Sequence, residues 1–280
     1  MALSSEQLKG RLKNVASKNG ADARILLRMY MMERFLERVS VSEYKDNFII
    51  KGGMLITSMI GLAMRSTMDI DTSIKNANVS ANDVKTMVEK ISAIDLDDGA
   101  GFKIREVSNI MDEMEYPGIR VSMEGYLDRV MTPLKIDVST GDIITPGEII
   151  YEYPLMLEER SIEVWSYNLE TVLAEKLQTI LARGILNTRL RDFYDIHVLL
   201  EVYREKIGVE TIKAAFNATA TKRETLQLIE QALEIVRNIK DDINMNRLWE
   251  SYQRKYSYAR DITFDSTIQS VRELVEIITK

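Results

Sequence analysis

The sequence predicts an α+β protein, with a mixed β-sheet flanked by helices in its first part and an all-helical second part. Three observations carry this. Between residues 47 and 166, short apolar or alternating runs are punctuated by Gly, Pro and acidic turns. Beyond about residue 166, apolar positions recur at helical spacing to the end of the chain. No fixed-period repeat or low-complexity tract interrupts either pattern. The expected domains are 1–165, which includes N-terminal helices, and 166–280.

The elements follow in order. Residues 21–39, ADARILLRMYMMERFLERV, place Ile25, Leu26, Met29, Met32, Phe35, Leu36 and Val39 on one face of an amphipathic helix. NFIIK (47–51) reads as a short buried strand ended by Gly52-Gly53, and MLITSMIGL continues as a buried helix. MDIDTSI (68–74) returns to strand alternation. Residues 81–93 set Val84, Val88 and Ile91 on one helical face before the acidic turn DLDDGAG.

Strand texture then takes over. Segments 102–110 and 118–127 predict two strands joined by MDEMEYP, with Pro117-Gly118 as the turn signal. Residues 134–140, LKIDVST, predict a third strand, opened by Pro133 and closed by Gly141. Shorter strands are expected at 148–156 and 160–166. In the helical part, Leu169, Val172, Leu173, Leu177, Ile180 and Leu181 form a stripe between an Asn168 N-cap and a Gly184 stop. A second helix, TRLRDFYDIHVLLEVY, follows after a short turn, and later helices are expected over 209–219, 222–237, 244–259 and 265–279.

Composition narrows the chemistry. With no cysteine in the chain, disulfides, thiolate catalysis and cysteine-based zinc sites are excluded. One histidine, His197, argues against a histidine triad or a multi-histidine metal site, and its place in an apolar helix marks it as a packing residue. A bound metal would therefore be held by carboxylates, which favours magnesium or manganese. No apolar run is long enough to span a membrane, and the N-terminus lacks the apolar core of a signal peptide, so a cytoplasmic protein is expected. The net charge is −6, yet residues 6–38 carry eight basic side chains against four acidic ones. That run fits a solvated helical face or, less simply, a surface that tracks phosphates. Tyr252, Tyr256 and Tyr258, beside Arg247, Arg254 and Lys255, fit either core packing with Trp249 or stacking on bases.

Asp69 and Asp71 are the sharpest feature. In a strand, residues i and i+2 share a face, so the two carboxylates would stand side by side with Ile70 turned into the core. Such a pair is costly unless a cation relieves the repulsion. Asp137, mid-strand between Ile136 and Val138, is a third carboxylate where a charge is otherwise hard to explain. Upstream, Gly52-Gly53 lets the backbone approach a ligand, and the helix that follows offers free N–H groups to an anion. Strand, Gly-Gly turn, helix and acidic strand together form a unit able to hold a triphosphate beside carboxylate-bound magnesium. Lys51, Ser58 and Arg65 lie close enough in sequence to assist phosphate binding, and Thr67 could orient Asp69 or cap a turn.

Those motifs, GG…RSTMDIDTSI with LKIDVSTGD, resemble the core signature of the DNA polymerase β-like nucleotidyltransferase superfamily. The downstream LETVLAEKLQTILARGILNTRLRDFYDIHVLL is similar to the AbiEii/AbiGii toxin family, which includes the MenT toxins. The motifs span roughly residues 48–203. The resemblance implies a nucleotidyltransferase fold for the mixed sheet. It implies nucleotide-phosphate contact by Gly52 and Gly53 and metal binding by Asp69, Asp71 and Asp137. It also implies Lys176 as a phosphate or catalytic lysine, with Asp192 and Arg191 facing the cleft from the second domain. Relatives often have lysine where this chain has Arg191, and arginine keeps the charge but not the point-like geometry.

The activity implied is Mg-dependent transfer of a nucleotide from an NTP, with GTP a candidate, to an acceptor such as the 3′ end of tRNA. Such enzymes serve as toxins in type IV toxin–antitoxin and phage-abortive-infection systems, restrained by a cognate antitoxin without a stable complex. A kinase-like phosphotransferase and a nucleotide-binding regulator without turnover are the two competing readings.

Overall fold

The computed structural model describes residues 3–75, 80–110 and 118–280, so the expected MDEMEYP connection lies outside the described residues. The chain divides into two compact units, Met1–Asp142 with Ile149–Ser166, and Ile143–Glu148 with Tyr167–Lys280.

In the first unit, α1 (Ser5–Asn19) opens with a capping box in which Ser4 and Gln7 satisfy each other's backbone N–H groups. It packs on α2 (Ala23–Val41), whose N-cap is Asp22. Strand β1 (Phe48–Lys51) runs directly into α3 (Gly52–Ile60), and β2 (Ile70–Ile74) returns alongside. Next come α4 (Ala81–Ser92), β3 (Ala100–Ile110), β4 (Gly118–Leu127), β5 (Val130–Thr140), β6 (Ile149–Pro154) and β7 (Ser161–Ser166). Among the described residues the strands form one mixed sheet in the order β3-β4-β5-β2-β1-β7-β6. The β2/β5 and β1/β7 pairs are parallel and the others antiparallel. The α+β architecture is the one the sequence predicts.

Three local departures have physical reasons. The helix at 21–39 is not amphipathic in use: from Met29 to Leu36 every α2 residue is buried, because α2 touches α1, α4 and the sheet. Arg34 and Arg38 therefore sit on neither a solvated face nor a phosphate-tracking one. Arg34 pairs with Glu37 at 3.0 Å and Glu158 at 2.8 Å. Arg38 forks onto Asp98 at 2.7 and 2.9 Å and donates to the carbonyls of Ile94 and Ala100. Strand β5 begins at Val130, so Pro133 lies inside it, opposite Glu124 of β4. Its ladder with β2 starts only at Ile136, and at Pro133 the strand has a neighbour on one side, the position a strand proline tolerates. Asp69 falls just before β2 rather than within it.

The second unit holds α5 (Leu169–Arg183), α6 (Leu190–Tyr203), α7 (Val209–Lys222), α8 (Leu228–Asp241), α9 (Ile243–Lys255) and α10 (Phe264–Thr279). Helix α10 packs against α5, α6, α7 and α8. Helix α8 starts at Leu228, not 222, after a turn in which Glu224 adopts φ +53°. The segment Ile143–Glu148 belongs here through hydrogen bonds between its backbone and two side chains. The Asn168 amide donates to the carbonyls of Thr145 at 2.8 Å and Gly147 at 2.9 Å, and the Thr145 N–H donates to Thr171 Oγ1 at 3.1 Å.

Candidate active site

Strand register brings the first unit's charged residues into one row. Asp71 of β2 pairs with Asp137 of β5 on one side and with Lys51 of β1 on the other. Asp137 is in turn opposite Arg120 of β4. In-register neighbours share a sheet face, so Arg120, Asp137, Asp71 and Lys51 line up across four strands. Asp69, two residues before Asp71, joins them: burial pushes its carboxyl up, and the negative charges of Asp71 and Asp137 push it further. Strand register thus sets Asp71 beside Asp137, and the Asp69 carboxyl lies within reach of both negative charges.

The Gly-Gly turn is built against this row. Gly52 has φ +60°, and a Cβ there would lie 2.2 Å from Asp71 Oδ2, so only glycine fits. The Gly53 N–H donates to the same oxygen at 3.0 Å. Helix α3 thus begins at the Asp71 carboxylate, with its first N–H groups at the acidic row.

Other residues of the sequence reading have defined places. Lys51 Nζ meets Asp142 Oδ2 at 2.6 Å, and Ser139 Oγ meets that oxygen at 2.5 Å. Arg65 is buried and donates from Nη1 to the Gly53 carbonyl at 2.6 Å and to Thr57 Oγ1 at 3.2 Å, bracing the turn from behind. Thr67 Oγ1 sits where a Cβ on Gly53 would go, 2.4 Å away. Ser58 donates to the Leu55 carbonyl at 2.7 Å and contacts the Tyr151 hydroxyl at 3.1 Å.

Arg120 is the residue sequence reasoning missed. Its Nε donates to Asp137 Oδ1 at 2.8 Å and its Nη2 to Oδ2 at 2.7 Å, a two-pronged ion pair. The signal was faint: a basic residue at a half-buried alternate position of GIRVSMEG, whose partner only strand register reveals.

In the second unit, Lys176 of α5 lies between two carboxylates of α6. Its Nζ is 2.7 Å from Asp192 Oδ1 and 2.7 Å from Asp195 Oδ2, and Arg189 Nε reaches Asp192 Oδ2 at 3.0 Å. Burial alone would raise the Asp192 carboxyl, but Lys176 and Arg189 outweigh it and hold it below the usual range. Arg191 turns to the tyrosines, donating to the Tyr256 hydroxyl at 3.2 Å with its guanidinium over that ring. Tyr256 and Tyr258 stack on each other, Tyr252 packs on Trp249, and His197 bonds Ser270 Oγ at 2.8 Å.

Does the donor set suit a divalent cation? Burial first, and then the negative charges of Asp71 and Asp137, raise the Asp69 carboxyl; the charge part is what a cation would relieve. Among the described residues no three acidic or histidine side chains already form a metal cage, and both Asp137 oxygens face Arg120. The pair that fits is Asp69 and Asp71.

Comparison with known proteins bears on the same elements. The chain superposes on MenT4, a nucleotidyltransferase toxin from Mycobacterium tuberculosis H37Rv, with a TM-score of 0.55 and 13% identity over 97% of this chain and 99% of that one. JHP933 from Helicobacter pylori gives a TM-score of 0.50 and 14% identity over 92% of this chain and 93% of that one. At such identities the likeness is one of fold. No curated protein matches the chain. The family described as "Nucleotidyl transferase AbiEii toxin, Type IV TA system" matches residues 34–275, which include the Gly-Gly turn, the acidic row and the Lys176 cluster. The chain belongs to the AbiEii family of nucleotidyltransferase toxins of type IV toxin–antitoxin systems.

Proposed function

We propose that the protein transfers a nucleotide from an NTP to an RNA hydroxyl, with the 3′ end of tRNA as acceptor, and releases pyrophosphate in a magnesium-dependent reaction. One observation carries the reading: the N-terminus of α3 is seated on the Asp71 carboxylate through a glycine that nothing larger could replace. An amide-rich anion site and a metal-type carboxylate thereby occupy one place.

Asp69 and Asp71 would hold the divalent ion. When bound, that ion supplies charge neutralisation for the triphosphate and acidifies the attacking hydroxyl. The chain's own groups do the rest. The Gly52-Gly53 backbone binds phosphate oxygens, and Arg65 keeps that backbone from shifting by holding the Gly53 carbonyl. In the second unit Asp192 and Asp195 fix the position of the Lys176 ammonium, and Lys176 is the lysine proposed to contact phosphate. The physiological role that follows is growth arrest in the cytoplasm, restrained by a cognate antitoxin and released during phage infection.

Incubation with total RNA, magnesium and each NTP labelled at the α- or γ-phosphate tests the proposal. Label from the α-position on RNA, lost in Asp71→Ala, is the expected result, and the NTP that works best identifies the base, GTP included. Label transferred only from the γ-position would make the protein a kinase instead.

A further inference from the structure

The acidic row is not uniform, and its unevenness says which carboxylates can take a metal. Asp137 and Asp142 each already have a cation, Arg120 and Lys51. Among the described residues Asp69 and Asp71 make no salt bridge, and Asp71 has only the Gly53 amide. Arg120 and Lys51 are thus engaged with Asp137 and Asp142, while Asp71, between Asp137 and Lys51 in the row, and its neighbour Asp69 carry their negative charge without an ion pair among the described residues.

We propose that Arg120 is a built-in counter-ion for Asp137, so that the divalent cation is held by Asp69 and Asp71 while Asp137 stays out of the coordination sphere. This rests on the metal-dependent reading above and deepens it. Three features support it. The guanidinium engages both oxygens of Asp137, at 2.8 and 2.7 Å, in the fork geometry that matches a carboxylate best. The pair is largely shielded, with side chains 21% and 10% exposed, so water does little to screen it. Arginine also keeps its charge at every accessible pH, so unlike lysine it cannot yield the site by losing a proton. A dication brought to Asp137 would have to approach that fixed positive charge. Arg120 is thus a positioning residue: it spends the third carboxylate on strand alignment and confines the metal to the pair beside the Gly-Gly turn.

Binding of Mn²⁺ to the full chain without nucleotide, followed by the paramagnetic signal of the free ion, separates the possibilities. Asp71→Asn should weaken binding about tenfold or more, whereas Asp137→Asn should leave it within about twofold. Arg120→Gln, which frees Asp137 to ligate, should tighten binding by about tenfold, and Arg120→Lys, which keeps the charge, should resemble the parent chain. Equal weakening by Asp137→Asn and Asp71→Asn would overturn the role given to Arg120 and leave the metal site standing. Absence of Mn²⁺ binding in both the parent chain and Arg120→Gln would remove the metal site itself, and the proposal with it. Should Arg120→Gln melt below the assay temperature, the comparison of Asp137→Asn with Asp71→Asn decides.

Discussion

Gly52 is the residue on which backbone and chemistry meet. Its φ of +60° costs a non-glycine residue about 1–2 kcal/mol. The added Cβ would also overlap Asp71 Oδ2, 2.2 Å away, and the carboxylate would have to move. Gly52→Ala should therefore do more harm to catalysis than to folding. A displacement of about 1 Å at a reacting group costs on the order of 100-fold in rate. We expect a fall in Tm of several degrees and a transfer rate lower by about 100-fold or more. A variant with normal turnover would show that the Gly-Gly turn does not position Asp71. At this scale the sequence was informative where chemistry is local: the glycines and the acidic pair lie within one short segment and their spacing speaks for itself. Arg120, Asp142 and Asp195 were not legible as partners, because strand register or helix packing decides what each one touches.

Helices α2, α5 and α6 show what buried charge does to an element. In α5 and α6, Lys176 compensates two carboxylates whose side chains are 4% and 0% exposed. Lys176→Met would leave Asp192 and Asp195 together without their shared cation, a change that costs about 3–5 kcal/mol. The Asp192 carboxyl is held below its ordinary range. Its contribution to stability is thus present above the unfolded carboxylate range and lost as pH falls through the folded value. Denaturant melts should show that acid-linked loss in the parent chain and a smaller one in Lys176→Met. An unchanged melting curve would remove Lys176 from any structural role.

In α2 the sign reverses. Burial pushes the Glu33 carboxyl from 4.5 up to about 8, although both of its oxygens accept the Met156 N–H. The unfolded chain ionises this group first, so folding is penalised progressively from pH 4.5 to about 8 and by a constant amount beyond. Glu33→Gln should stabilise the protein by roughly 3–5 kcal/mol at pH 8 and by little at pH 4.5. Equal melting of the two chains at both pH values would show that Glu33 is charged and satisfied in the fold. None of this was readable from periodicity, which marks α2 as a helix but does not say that it is enclosed on nearly every side.

At the scale of the whole chain, the order of a mixed sheet followed by helices was plain from the change of period near residue 166. What the period could not convey is that the path crosses between units three times. After Asp142 the chain enters the second unit for Ile143–Glu148, returns for β6 and β7, and leaves again after Ser166. This short strap has no secondary-structure pattern of its own, and its bonds to the Asn168 and Thr171 side chains show where it belongs. Asn168 is 7% exposed and Thr171 1% exposed, so removing the strap would strand buried polar groups at about 1–3 kcal/mol each. A cut at the apparent domain boundary, between Ser166 and Tyr167, therefore leaves the two pieces joined through the strap. Co-expressed fragments 1–166 and 167–280 should copurify, and Asn168→Ala in the second fragment should loosen the pair by removing both amide bonds to Thr145 and Gly147. Fragments that elute separately would show that the strap, though bonded within the helical unit, contributes too little to hold it.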